Sequence, residues 1–356
     1  MPPMVIPRIL NLRYKEVFML TKTKKLLSEL IGSGELSNFA ICIGRGDEIL
    51  TELYSDNVNE NTLFDMASVT KVMSVTMISL ISLEKGLLNL NDKVSRFFDV
   101  PKHYEELSIE NLLTHTMGIG HKNLINAGRS YEDIAEYILT LYDESVGSDV
   151  FYSCPAFILL GKILEKIYNK RLDILFDELV AKPLNMRKSS FLPTEKGYCD
   201  IVNSNRAKEE RGLVNDYNCR YLGGIAGNAG IFSNISDMKL FVNAMLNNGY
   251  PLFSKKTLDN ATMNHTNGMS EARGLGFLYV DERYKQTGEL FPVGSVGHCG
   301  HTGTSVFFNR DSGLYVIILS DATISVRNKY DKSDYYDKVM LMRENLHNTI
   351  KKDLNL

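Results

Sequence analysis

The chain has no apolar run approaching the ~18 residues that a membrane-spanning helix needs, so no membrane partner is expected. It also has no basic excess. Against 40 Lys+Arg stand 43 Asp+Glu, a net charge of -3, and no basic stripe interrupts the balance. A protein that binds through phosphate contacts needs such an excess, so a nucleic-acid partner is not expected. Cysteine is sparse and irregular. Cys42, Cys154, Cys199, Cys219 and Cys299 are odd in number and form no C-x-x-C pair, which argues against a structural zinc site or a dithiol motif. Five free thiols, and neither metal nor cofactor, are the expectation. The opening Met1-Pro-Pro-Met-Val-Ile-Pro-Arg8 lacks the basic and apolar regions of a secretory signal, so a cytoplasmic location is expected. The strings G-x-S-x-G, G-x-G-x-x-G, H-E-x-x-H and the phosphate-binding P-loop do not occur.

Of the 356 residues 44% are hydrophobic and 23% charged, a composition that folds around a sizeable core. Thr21 to Leu30 reads as an amphipathic helix. Phe39 to Ile43 and Ile49 to Tyr54 flank Gly44-Arg-Gly-Asp47, a hairpin signal. A long helical region follows, from about Ser68 to Val180. Strands return at Leu275 to Val280, Thr304 to Phe308 and Leu314 to Leu319, and a closing helix covers Lys338 to Lys351. This order predicts an α/β fold of the α+β type: a mainly antiparallel sheet flanked by helices, with an inserted all-helical domain. The expected boundaries are 1–66 and 222–356 for the discontinuous α/β domain and 67–221 for the helical one. Residues 1–20 are read as an N-terminal extension, and the active site is expected at the junction of the two domains.

One helix stands out. Across Val69 to Leu83 the only charged side chain is Lys71, and a helix so apolar on every face is normally buried. Ser68 lies one turn earlier on the same face. A desolvated lysine loses basicity and can take a proton from a neighbouring hydroxyl, while N–H groups at the helix start can polarise a bound carbonyl. The competing reading is a capping serine and a first-turn lysine that reaches solvent. Spacing alone does not choose, because Ser82-Leu-Glu-Lys85 and Ser236-Asp-Met-Lys239 repeat it. Ser236 and Lys239 are read as a helix cap and an exposed face.

Phe64-Asp-Met-Ala-Ser68-Val-Thr-Lys71 resembles the active-site segment of the serine β-lactamase and penicillin-binding protein superfamily, and most closely its class C β-lactamase-like branch, which includes esterases and D-amino-acid peptidases. Further likenesses recur in order: Leu112-Leu-Thr-His-Thr-Met-Gly118, Tyr152-Ser-Cys154, Pro183-Leu-Asn-Met186, Gly227-Asn-Ala-Gly-Ile-Phe-Ser233 and Gly297-His-Cys-Gly-His-Thr-Gly-Thr-Ser305. The resemblance implies a β-lactamase/DD-peptidase-like fold. It implies an acyl-enzyme on Ser68, with Lys71 and Tyr152 as proton-transfer groups and an oxyanion hole from the N–H groups of Ser68 and His301. For the third motif, His298-Cys299-Gly300 is preferred over His301-Thr302-Gly303, since His301 to Ser305 then continues the family strand. His115 is read as a hydrogen-bonded structural residue.

The departures from the pattern are cysteines. Cys154 replaces an asparagine that would bind a substrate amide, and a thiol cannot reproduce that pair of donor and acceptor. His298 and Cys299 replace the Lys-Thr that would hold a substrate carboxylate. Cys154, His298, Cys299 and Gly300 are the expected substrate-binding residues. The expected substrate is a small ester, amide or peptide, and the expected activity is esterase or acyl hydrolase with weak β-lactamase activity. The alternatives are a β-lactamase or a D-Ala-D-Ala-type carboxypeptidase and, in another class, a catalytically inactive binding or sensor protein.

Overall fold

The computed structural model describes residues 20–125, 128, 130, 132–330 and 335–356. The expected N-terminal extension, Leu20 apart, lies outside the described residues. Among the described residues eight strands are present: β1 (Phe39–Arg45), β2 (Glu48–Tyr54), β3 (Phe64–Asp65), β4 (Phe232–Ser233), β5 (Leu278–Tyr279), β6 (Val296–Cys299), β7 (Ser305–Phe308) and β8 (Leu314–Ser320). Six of them form one sheet in the order β2-β1-β8-β7-β6-β5, every pair antiparallel. β3 and β4 pair separately, β3 lying just ahead of Ser68 in the chain.

The central strand β8 shows why the sheet has two covered faces. All seven of its residues are buried, and they alternate between two cores. Leu314, Val316 and Ile318 join Leu27, Leu346 and Ile350 of the terminal helices Thr21–Ser33 and Tyr335–Leu354. Tyr315, Ile317 and Leu319 face the opposite core, which continues into the helical region through Val72, Val75, Phe157 and Leu160. The cleft therefore opens where β6 meets the helix starting at Val69.

Two expected elements change extent. β5 is far shorter than Leu275 to Val280, because Gly276 takes φ +77 and gives its N–H to the Leu113 carbonyl at 2.8 Å instead of to a sheet partner. The closing helix is longer, Tyr335–Leu354. Among the described residues no helix is long and apolar enough to cross a membrane.

Candidate active site

The Val69–Lys71 α-turn continues through a π-helical turn, Val72–Thr76, into the α-helix Met77–Glu84. Such a π-turn inside a helix is frequent at functional sites. Lys71 is completely buried, which rules out the solvent-reaching reading. Its Nζ donates to Ser68 Oγ at 3.0 Å, to Tyr152 Oη at 2.9 Å and to the Asn228 carbonyl at 3.0 Å, while Cys154 Sγ lies at 3.6 Å. Burial is the largest single influence on Lys71 and pulls its proton affinity down. The charges that Cys154 and Tyr152 can carry, with the Tyr152 hydrogen bond, outweigh it, so the net direction is up. The expected loss of basicity is thus reversed by the neighbours. Burial also raises the Tyr152 phenol, against the pull of Lys71. The resting pair is therefore an ammonium beside a neutral phenol, and it titrates as a unit.

The other two Ser-x-x-Lys copies go elsewhere. Ser82 Oγ donates to the Ile78 carbonyl within its helix, at 2.7 Å. Asn234, not Ser236, caps the helix Ile235–Leu246, because only its side chain reaches the Asp237 N–H. Lys239 is not a free surface lysine; it pairs with Glu52.

The segment that carries Ser68 is held under strain. Ala67 sits at φ +45, a left-handed conformation costing about 1–2 kcal/mol for a non-glycine residue. Asp65 secures it by accepting the Ala67 N–H at 2.8 Å, and its other oxygen accepts the Asn215 N–H at 2.7 Å. Burial raises the Asp65 carboxyl to about 6. From the far side the Thr302 hydroxyl donates to the Asp65 carbonyl at 2.9 Å. Gly300 comes so close that a Cβ there would lie 2.7 Å from the Met66 carbonyl, which explains the glycine.

His115 brackets Tyr152. Its carbonyl accepts the Phe151 N–H at 2.8 Å and its Nδ1 accepts the Ser153 N–H at 3.0 Å. That fixes the ring with its proton on Nε2, and burial holds it neutral. Cys154 opens the helix Cys154–Tyr168 behind the Ser153 cap.

A cavity of about 530 Å³ is lined by Ser68, Tyr152, Cys154, His298, Cys299, Gly300 and His301 among others. Every expected site residue except the buried Lys71 reaches its wall. Neither the Ser68 nor the His301 N–H has an acceptor among the described residues, as free oxyanion-hole donors require. His298, on β6, donates Nδ1–H to the Cys299 carbonyl at 2.8 Å, leaving its buried Nε2 as an unpartnered acceptor. Burial, then Lys71 and Arg273, keep it neutral. Cys299 Sγ lies 3.3 Å from the Tyr284 hydroxyl. The Thr302 hydroxyl is already committed to Asp65.

Sequence reading missed two arginines. Arg273, only 3% exposed, pairs with Glu271 at 2.7 Å and lies over the Tyr152 ring, 5.4 Å from its centre. Its Nε and Nη1 have no partner. Arg343, on the C-terminal helix, ties down the turn after β6: it donates to the carbonyls of Gly300, Gly303 and Thr304 and, at 2.7 Å, to Gln286. The only hint was that Arg343 follows Met342 on the buried face shared with Val339, Leu346 and Ile350.

Comparison with known proteins defines the class of this fold and site. The Beta-lactamase family profile matches residues 23–338. The chain belongs to that family, within the serine β-lactamase and penicillin-binding protein superfamily. It is 26% identical over 299 residues to the N-acetylmuramyl-L-alanine amidase of Bacillus subtilis (strain 168), covering 73% of this chain and 68% of that one. The fold is also that of the β-lactamase/D-alanine carboxypeptidase from Pseudomonas syringae (TM-score 0.70, 14% identity, 92% and 98% of the chains covered). EstCE1, a hydrolase with promiscuous acyltransferase activity, shares it too (TM-score 0.70, 19% identity, 93% and 98% covered).

Proposed function

We propose that the chain is a serine acyl hydrolase that acts on small esters through an acyl-enzyme on Ser68, with weak β-lactamase activity. The observation that carries this reading is Lys71 Nζ, fully buried and within hydrogen-bond reach of both Ser68 Oγ and Tyr152 Oη. In the proposed cycle the Lys71–Tyr152 pair first gives up one proton to solvent, then takes the Ser68 proton as Oγ attacks the carbonyl and passes it to the leaving group. The Ser68 and His301 N–H groups stabilise the oxyanion. His298 and Cys154 supply no fixed charge and no amide fork for a β-lactam or peptide, whereas an ester makes neither demand. The esterase reading also fits the hydrolase named among the solved structures of this fold.

Arg273 favours a second reading. A buried guanidinium with two free N–H groups on the Tyr152 side is suited to a carboxylate on the leaving group, as a D-Ala-D-Ala-type carboxypeptidase would require. Side-by-side turnover of short-chain p-nitrophenyl esters and nitrocefin tests the proposal. Rapid ester hydrolysis with slow nitrocefin hydrolysis is expected. Efficient nitrocefin hydrolysis would overturn it, and no turnover with no covalent labelling would favour a binding protein.

A further inference from the structure

Cysteines gain reactivity toward electrophiles where cationic groups stand beside the sulfur and a path to it exists. Only one of the five cysteines combines these conditions with the catalytic groups. Cys154 Sγ lies 3.6 Å from Lys71 Nζ on one side. On another stands His121, whose proton affinity is raised first of all by its hydrogen bond to Cys154. Both Cys154 and His121 line the cavity that holds Ser68. The same cavity carries features that call for a small polar occupant: His298 Nε2 and Arg273 Nε and Nη1 are buried there without partners. Cys42 and Cys219 differ. Burial pushes Cys42 up to about 12 and Cys219 upward too, and neither lines the cavity.

We propose that Cys154 is a modification site inside the catalytic cavity, reactive toward small electrophiles and peroxides, and that its modification stops acylation of Ser68. The inference rests on Ser68 acting as the nucleophile. With iodoacetamide, an S–C bond forms, the C–I bond breaks, iodide leaves and the thiol proton goes to solvent. With a peroxide, an S–O bond forms as the O–O bond breaks; sulfur is oxidised to a sulfenic acid, the peroxide is reduced and water leaves. Either adduct enlarges the group touching Lys71 Nζ, so it displaces the ammonium from Ser68 and Tyr152 or fills the space of the incoming acyl group. The peroxide product returns to the thiol with excess reductant, whereas the alkylated form does not.

The test uses the full wild-type chain and two independent readouts. Peptide mapping after limited iodoacetamide treatment follows each thiol, and a fluorophosphonate probe follows Ser68. Cys154 is expected to react at least about tenfold faster than Cys42 and Cys219, and more slowly once Ser68 carries the probe. Labelling of Ser68 is expected to fall in proportion to Cys154 modification, and dithiothreitol to restore it after peroxide but not after iodoacetamide. A Cys154 that stays unmodified while exposed Cys199 is consumed would overturn the proposal, as would complete modification with Ser68 labelling unchanged. A Ser68 that never labels in untreated protein would overturn the nucleophile reading and the inactivation with it. Mapping would still decide whether Cys154 is the reactive thiol.

Discussion

The two walls of the cavity differ in how complete they are. On the helix side, Lys71 already has Ser68, Tyr152 and Asn228 as partners, and Tyr152 is bracketed by His115 on both flanks. On the β6 side, His298 Nε2 and two nitrogens of Arg273 are buried and unpaired. Burying a polar atom without a partner costs about 1–3 kcal/mol, a cost that a ligand in the cavity can offset where the atom lines it. The helix side also has buried unpartnered atoms, His115 Nε2 and Asn228 Oδ1, but neither residue lines the cavity, whereas His298 and Arg273 do. The groups proposed for acylation, Ser68, Lys71 and Tyr152, lie on the first wall. The positions expected to bind substrate lie on both walls, Cys154 on the helix side and His298 and Cys299 on β6.

Breaking the first wall should have the largest effect. Lys71→Met keeps the shape and removes the charge, and kcat for ester hydrolysis should fall by ~10²–10⁴-fold. Stability in urea should fall by about 1–3 kcal/mol, because the buried Asn228 carbonyl loses its Lys71 donor. An unchanged kcat would separate Lys71 from the chemistry.

Acid should weaken the β6 wall. Burial holds His347, under β7, and His301 at about 4. Their unfolded values lie near 6.5, so between pH 6.5 and 4 the unfolded chain binds more protons and stability falls as pH falls. Each contributes roughly 2 kcal/mol of loss at pH 5. Urea midpoints at pH 7.5 and 5 measure the loss, and His347→Gln should flatten the dependence. Equal midpoints would remove the buried histidines from the stability of this wall.

The smallest effect should be the most selective. Arg273→Gln is expected to raise KM about tenfold, or about 1.4 kcal/mol, for esters with a carboxylate on the leaving group. Neutral esters should be unaffected, with kcat unchanged for both. An equal effect on both ester types would make Arg273 a structural residue.

The same contrast explains what could be read from the sequence. Ser68 and Lys71 were visible because the helix is local: a single charge in an apolar run, one turn from a serine. β1, β2 and β8 were visible because short apolar runs are local as well, the first two flanking the turn residues Gly44-Arg-Gly-Asp47. The β6 wall is assembled from distant segments. Arg273 reaches Tyr152 over 121 positions of sequence, and Arg343 reaches Gly300 over 43, and no spacing rule connects them. The extent of β5 was misjudged because Leu275, Phe277 and Leu278 are apolar whether or not the backbone pairs. It was the positive φ of Gly276 that broke the strand.

The nucleophile itself is tested most directly by trapping the acyl-enzyme. A slowly hydrolysed ester or a fluorophosphonate is mixed with wild type and with Ser68→Ala, and peptide mapping follows. A mass increase confined to the peptide bearing Ser68, absent from the variant along with at least ~10³-fold of the ester turnover, is the expected result. Turnover that persists in Ser68→Ala, or an adduct on another residue, would contradict it.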